Sequence, residues 1–170
     1  MLNITNLENT LYAWVSGVSG LTTIFAHPNA PRPSTSYVLI NIIQSEPKGV
    51  EESQNTLLGD ESTTVDYSNL EEVFVSINTY YAGAYQLATK IKDSLGRVSV
   101  QEILWAGGLG YVSAGGVQDI PEEINKKFEE RGQFDCFFLA RSADTENLET
   151  IRKIELTNEI DNSTIVIEKP

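Results

Sequence analysis

An α+β fold is expected: a mainly antiparallel β-sheet flanked by two or three helices, with one long hairpin excursion. Three observations predict it. Apolar residues recur at helical spacing in Leu7, Leu11, Trp14, Val15 and Val18, and again in Ala84, Leu87, Ala88, Ile91 and Leu95. Several runs are rich in β-branched and aromatic residues, with Tyr37–Ile43 and Phe134–Arg141 the densest. The elements follow one another as helix, strands, helices, strands, without the regular alternation that builds a parallel sheet. The 170 residues show no repeat, low-complexity tract or linker. They read as one domain over 1–170, long enough to bury a core without staples. Residues 158–170 read as a C-terminal extension and a candidate strand on a neighbouring chain.

The first helix has Asn6 as a plausible N-cap, with Gly17 and Gly20 near its end. Pro28, Pro31 and Pro33 fall within six positions and impose a stiff, extended connector. In Tyr37–Ile43 both alternating faces are largely apolar, as in an interior strand. Residues 45–60 are polar and acidic, with Pro47, Gly49 and Gly59, and predict a long mobile hairpin tip. Ser62–Tyr67 begins the return, and Glu72–Tyr80 continues as a strand with Val73, Val75, Ile77 and Thr79 on one side.

The second helical stripe stops at Gly96. Ser99 and Glu102 have capping-box spacing for a short helix carrying Ile103 and Leu104, which Gly107-Gly108-Leu109-Gly110 breaks. Tyr111–Gln118 reads as strand or extended loop. Asp119 and Glu122, with Pro121 between them, predict a further helix that buries Ile124 and Phe128. Ile151–Leu156 and Thr164–Glu168 read as late strands. The expected core is Leu11, Trp14, Val38, Ile40, Val75, Ile77, Leu87, Ile91, Phe128 and Phe138.

Twelve basic residues face 24 acidic ones, for a net charge of −12 and a pI near 4.4. Duplex DNA is densely anionic, and proteins that grip it cluster Lys and Arg. The densest basic pair, Lys126-Lys127, is flanked by Glu122, Glu123, Glu129 and Glu130, which marks a solvated face. Anionic membranes are equally poor partners, and no apolar run approaches the ~20 residues that span a bilayer. The first residues lack a basic region followed by an apolar stretch, so folding in a cytoplasm is the expectation.

Catalysis needs a nucleophile, a base or a metal held close together. One cysteine, Cys136, lies in Phe134-Asp135-Cys136-Phe137-Phe138 and reads as a buried structural thiol. One histidine, His27, sits in the proline connector. Gly107–Gly110 and Gly115-Gly116 do not continue into Gly-Lys-Ser/Thr and do not fit the dinucleotide fingerprint. Glu51-Glu52, Asp60-Glu61 and Glu71-Glu72 lack the spacing of a hard-cation loop. No catalytic, cofactor or metal residue is therefore assigned. The long 45–60 excursion and the strands beside it point instead to assembly.

Several local patterns carry a family resemblance. Ala30-Pro31-Arg32-Pro33-Ser34-Thr35-Ser36-Tyr37 runs into an apolar strand. Val73–Tyr81 runs into Gly83-Ala84-Tyr85-Gln86-Leu87-Ala88. Val117-Gln118-Asp119-Ile120-Pro121 precedes Phe128-Glu129-Glu130-Arg131 and the aromatic strand Phe134–Leu139. Over about residues 5–157 this layout resembles the tail or neck terminator proteins of tailed bacteriophages. The family pattern has a small pair such as Gly-Pro before the second helix, where this chain has Ala82-Gly83-Ala84.

The resemblance implies a structural virion protein, assembled in the host cytoplasm as a hexameric ring. The ring would cap the tail tube and join it to the head-side connector, with the tail sheath as a further candidate neighbour. DNA would pass through the lumen without specific binding, and the acidic balance suits such passage. No enzymatic activity and no cofactor is implied. Candidate interface residues are Pro31, Arg32 and Pro33 in the connector, and Lys48, Glu51, Glu52, Asp60 and Glu61 around the hairpin tip. The competing readings are another head–tail connector or baseplate subunit, and a small-molecule-binding domain or enzyme using the Gly107–Gly116 loop.

Overall fold

A computed structural model describes residues 2–26, 32–58, 62–124, 127–149, 153–157 and 164–168. Helix α1 (Ile4–Ser19) is followed by β1 (Thr22–Phe25), β2 (Tyr37–Leu58) and β3 (Ser62–Tyr80). Helices α2 (Ala84–Ser94) and α3 (Val98–Ala106) come next. The remaining strands are β4 (Leu109–Ala114), β5 (Gln118–Asp119), β6 (Glu122–Ile124), β7 (Lys127–Glu129), β8 (Arg131–Glu149), β9 (Lys153–Thr157) and β10 (Thr164–Glu168).

The main sheet has the order β1-β2-β3-β8-β4, with β5 also on β8. β1 pairs β2 in parallel, whereas β4 and β5 pair β8 antiparallel. This is the α+β, mostly antiparallel architecture that the element order predicts. β2 is interior, as its two apolar faces require. Two small sheets stand apart from this ladder, β6–β7 and β9–β10.

The chain divides into two compact units: Met1–Gly49 with Asn69–Ser142, and Val50–Ser68 with Ala143–Pro170. In the first, α1 packs on α2, α3 and β1, and α3 packs on β4. Alternate sheet residues complete the core: Val38 and Ile40, then Val73, Val75 and Ile77, then Phe134, Cys136, Phe138 and Ala140. Trp14 is fully buried, meets Phe138 edge-on at 5.8 Å, and donates its indole N–H to Ser94 Oγ at 2.9 Å. Its one polar atom is thereby satisfied inside the core. Leu87 is half-buried against this cluster.

Two glycines are required by close approach. A Cβ on Gly107 would lie 2.0 Å from Thr10 Oγ1, so the turn after α3 can meet α1 only without a side chain. Asn6 Nδ2 also donates to Gly107 O at 2.8 Å. A Cβ on Gly132 would lie 2.8 Å from both Ala84 O and Thr79 Oγ1.

In the second unit β3 and β8 are linked by polar side chains. Thr64 Oγ1 donates to Asn147 Oδ1 at 3.1 Å, and Thr145 Oγ1 donates to Asp66 Oδ1 at 2.7 Å. Val65 is buried there. β10 pairs β9 antiparallel from Thr164↔Thr157 to Glu168↔Lys153.

Four local expectations are corrected. α1 starts at Ile4, and Asn3 rather than Asn6 caps it, its Oδ1 accepting from Asn6 N–H at 3.0 Å. Residues 45–58 are strand, so the polar stretch lengthens β2 instead of forming a loop. The Ser99–Glu102 box does not form, because α3 begins at Val98 with Arg97 at its N-cap and no side-chain cap. The helix expected after Asp119 is replaced by β5 and the β6–β7 hairpin. Phe128, expected in the core, is 79% exposed. Two apolar positions, Ile124 and Phe128, are too short a stripe to hold a helix on the core.

Candidate interface

The richest side-chain constellation lies where the proline connector meets the end of β3 and the start of β8. Tyr37 opens β2 and Tyr80 closes β3. Their rings stack at 4.6 Å and 10°. Tyr81 follows with φ +71°, a left-handed conformation rare for a bulky side chain. It is pinned from three sides. Its N–H donates to Glu130 O at 3.0 Å, its hydroxyl donates to Pro33 O at 3.0 Å, and its ring meets Tyr37 edge-on at 6.1 Å.

Arg32 enters this aromatic nest. Its Nε donates to Tyr37 Oη at 2.9 Å, and its guanidinium pairs with the Glu129 carboxylate. The guanidinium carbon lies 5.1 Å from the Tyr80 ring, 5.5 Å from Tyr81 and 5.8 Å from Tyr37, within cation–π range. Burial works against the Arg32 charge. The hydrogen bond to Tyr37, with the charges of Tyr37, Glu129 and Tyr81, outweighs it and raises the pKa above the ordinary arginine value. Burial also raises the Tyr37 pKa, although Arg32 opposes the rise.

Arg131 takes the Tyr80 ring at 5.5 Å and donates to Asn78 Oδ1 at 2.9 Å. It also lies 3.9 Å from the Glu122 carboxylate. Glu130 Oε2 accepts from Gly83 N–H at 2.6 Å, at the N-terminus of α2, where a carboxylate complements the helix dipole. The cluster thus ties together the connector, the β3–α2 turn and the entry to β8.

Of the residues expected at an interface, Arg32 and Pro33 belong to this cluster. Pro31, Asp60 and Glu61 lie outside the described residues. Lys48 instead pairs with Glu72 at 3.0 Å. Glu51 and Glu52 continue β2, with Glu52 exposed. Tyr80, Tyr81, Glu129 and Arg131 escaped sequence reasoning. The Tyr80-Tyr81 pair ahead of Gly83 was the available signal, and reading 119–131 as mostly helix hid the two charged partners.

This arrangement can position a segment and present charge and aromatic area, as interfaces do. It offers no activated nucleophile. Burial pushes the Cys136 thiol far above its ordinary pKa, with the nearby Asp135 charge adding to the rise. Among the described residues no three His, Cys, Asp or Glu side chains group to hold a metal, and no helix is long and apolar enough to cross a membrane. Gly107, in the glycine-rich stretch, is accounted for by its packing on Thr10.

The fold is α+β with a mostly antiparallel sheet, and the cluster braces it through internal contacts. The family model of the phage neck terminator protein matches residues 5–164, and the chain belongs to that family. It is accordingly a structural protein of the phage neck, part of the virion, in a family that is not enzymatic. No curated protein matches the chain. Among solved structures, a chain of the virion of a native gene transfer agent particle is similar at 16% identity, with 81% of this chain and 92% of that chain covered and a TM-score of 0.37.

Proposed function

We propose that the chain assembles as a hexameric ring that terminates the tail tube and joins it to the head-side connector, with DNA passing through the lumen. The observation that carries this reading is the neck terminator match over residues 5–164. The net charge of −12 supports it, because a lumen that shares the acidic character of the chain lets DNA slide without holding it.

In this reading the connector, with Pro31, Arg32 and Pro33, fixes one ring contact. The tip around Lys48, Glu51, Glu52, Asp60 and Glu61 meets a neighbour, the tube or the sheath. The Arg32 nest supports the first assignment, since it fixes Arg32 and Pro33 without using all of the arginine, whose side chain stays 37% exposed. Arg32→Lys keeps the charge but loses the planar fork and the stacking on tyrosine.

Light scattering over a concentration series, with negative-stain images of the same samples, tests the reading. Closed six-membered rings are the expected result, in solution or on added tail tubes. A monomer that neither closes nor caps tubes overturns it. Arg32→Lys is expected to weaken ring formation while leaving the thermal melt nearly unchanged.

A further inference from the structure

The β6–β7 hairpin keeps the register in which β5 pairs β8, but none of its described side chains belongs to the buried core. Glu122, Glu123 and Phe128 are exposed. A two-stranded hairpin without a buried apolar face is marginal in water, so something other than burial holds this one.

The register itself works against the hairpin. Glu122 and Glu129 are direct cross-strand partners. Residues so placed project to the same side with Cβ atoms about 5 Å apart, and like charges there are destabilising. Two distant parts of the chain offset this repulsion. Glu129 pairs with Arg32, and Glu122 lies 3.9 Å from Arg131. The two arginines in turn share one aromatic ring, their guanidinium carbons 5.1 and 5.5 Å from the centroid of Tyr80. The four charges form a closed circuit, from Arg32 to Glu129 to Glu122 to Arg131 and back across Tyr80. Its net charge is zero, and each like-charged pair in it is compensated only while all four members are present.

The two arginines are not equivalent. Arg131 opens β8 and donates to Asn78 Oδ1 at 2.9 Å. Arg32 lies outside every strand, and its side chain keeps more exposure than that of Arg131.

We propose that this circuit is an ionic latch for the β6–β7 hairpin, with Arg32 as its removable member. Drawing Arg32 away leaves Glu129 facing Glu122 with one arginine for two carboxylates, and the hairpin that carries Phe128 is released. The consequence for assembly rests on the ring reading, in which Arg32 makes a neighbour contact: a neighbouring carboxylate that engages Arg32 opens the latch. The latch itself belongs to the single chain.

Hydrogen exchange on the full chain tests it. Amides of 122–124 and 127–129 are the readout, and those of 134–140 control for folding. Arg32→Gln is expected to speed hairpin exchange roughly tenfold, the loss of an exposed ion pair and a cation–π contact, with 134–140 unchanged. Adding Glu122→Gln to that variant separates a latch from two independent ion pairs. Glu122 pairs with Arg131, so independent pairs make the doubly substituted chain exchange faster still. The latch predicts the opposite, a several-fold recovery, because Glu129 no longer faces a like charge and Arg131 is free to take it. A doubly substituted chain that exchanges as fast as Arg32→Gln or faster overturns the proposal. So does an Arg32→Gln hairpin that exchanges at the original rate, or one whose faster exchange extends to 134–140. Each of these results leaves the ring reading standing, and a chain that forms no rings removes only the consequence for assembly.

Discussion

The unit formed by Met1–Gly49 and Asn69–Ser142 contains every member of the buried apolar cluster, from Leu7 to Ala140. In the unit formed by Val50–Ser68 and Ala143–Pro170, Val65 is the buried apolar side chain among the described residues. There, β3 and β8 are joined by hydroxyl, amide and carboxylate contacts such as Thr145 to Asp66. Exposed polar contacts of this kind contribute little each, because water competes for the same groups. Burial removes apolar area from water at roughly 25 cal/mol per Å² and scales with the cluster. The first unit is therefore built to be rigid alone. Among the described residues, the second unit rests more on exposed polar contacts than on apolar burial.

The largest expected effect lies in the first unit. Trp14→Ala removes a fully buried ring and leaves Ser94 without its indole donor, so a loss of about 3–5 kcal/mol is expected in urea unfolding. A loss no larger than for Thr145→Ala, expected below about 0.5 kcal/mol as a surface change, would erase the contrast between the units. Gly107→Ala comes next, at about 1–3 kcal/mol, because the new methyl group meets the Thr10 side chain.

Hydrogen exchange sharpens the comparison without a mutation. Amides of 73–79 and 134–140 are expected to exchange at or near the global unfolding rate, and those of 62–68 and 143–149 well before them. Equal protection in all four segments would show one cooperative body. Cys136 gives a chemical version of this measurement. Its buried thiol is expected to resist an aromatic disulfide reagent at pH 8 and to react once urea opens the first unit.

The smallest effect is a pH dependence at the connector. Tyr37 has its pKa raised above 10.0 by burial. The folded state then keeps a proton that the unfolded chain loses, so this contribution is intact below about pH 10 and is lost as pH rises through the folded value. Tyr37→Phe is expected to flatten the stability curve above pH 10, at the cost of the Arg32 hydrogen bond at lower pH.

Much of the first unit was legible because its periodicity is forced by burial. The Leu7–Val18 and Ala84–Leu95 stripes became α1 and α2, and the two apolar faces of Tyr37–Ile43 became an interior strand. The polar 45–58 stretch read as loop because its polar and acidic residues give no apolar alternation to reveal a strand. The stretch after Asp119 carried real capping signals, but local signals do not outweigh the lack of a core-facing stripe, and Phe128 ended in solvent. The interface nest was only partly legible. Arg32 and Pro33 stood out within the connector, whereas Glu129 is 97 residues from Arg32 in sequence and meets it only through the fold.

The sequence by itself determined the α+β class, the main helical stripes, the acidic balance and the lack of a catalytic motif, because these depend on local periodicity and composition. Only the tertiary structure decided that Tyr37, Tyr80 and Tyr81 form a nest for Arg32, that Gly107 must be bare against Thr10, and that Glu122 and Glu129 face each other with Arg131 and Arg32 as their partners. Those outcomes depend on which distant segments pack together, and no local pattern of residues encodes that choice.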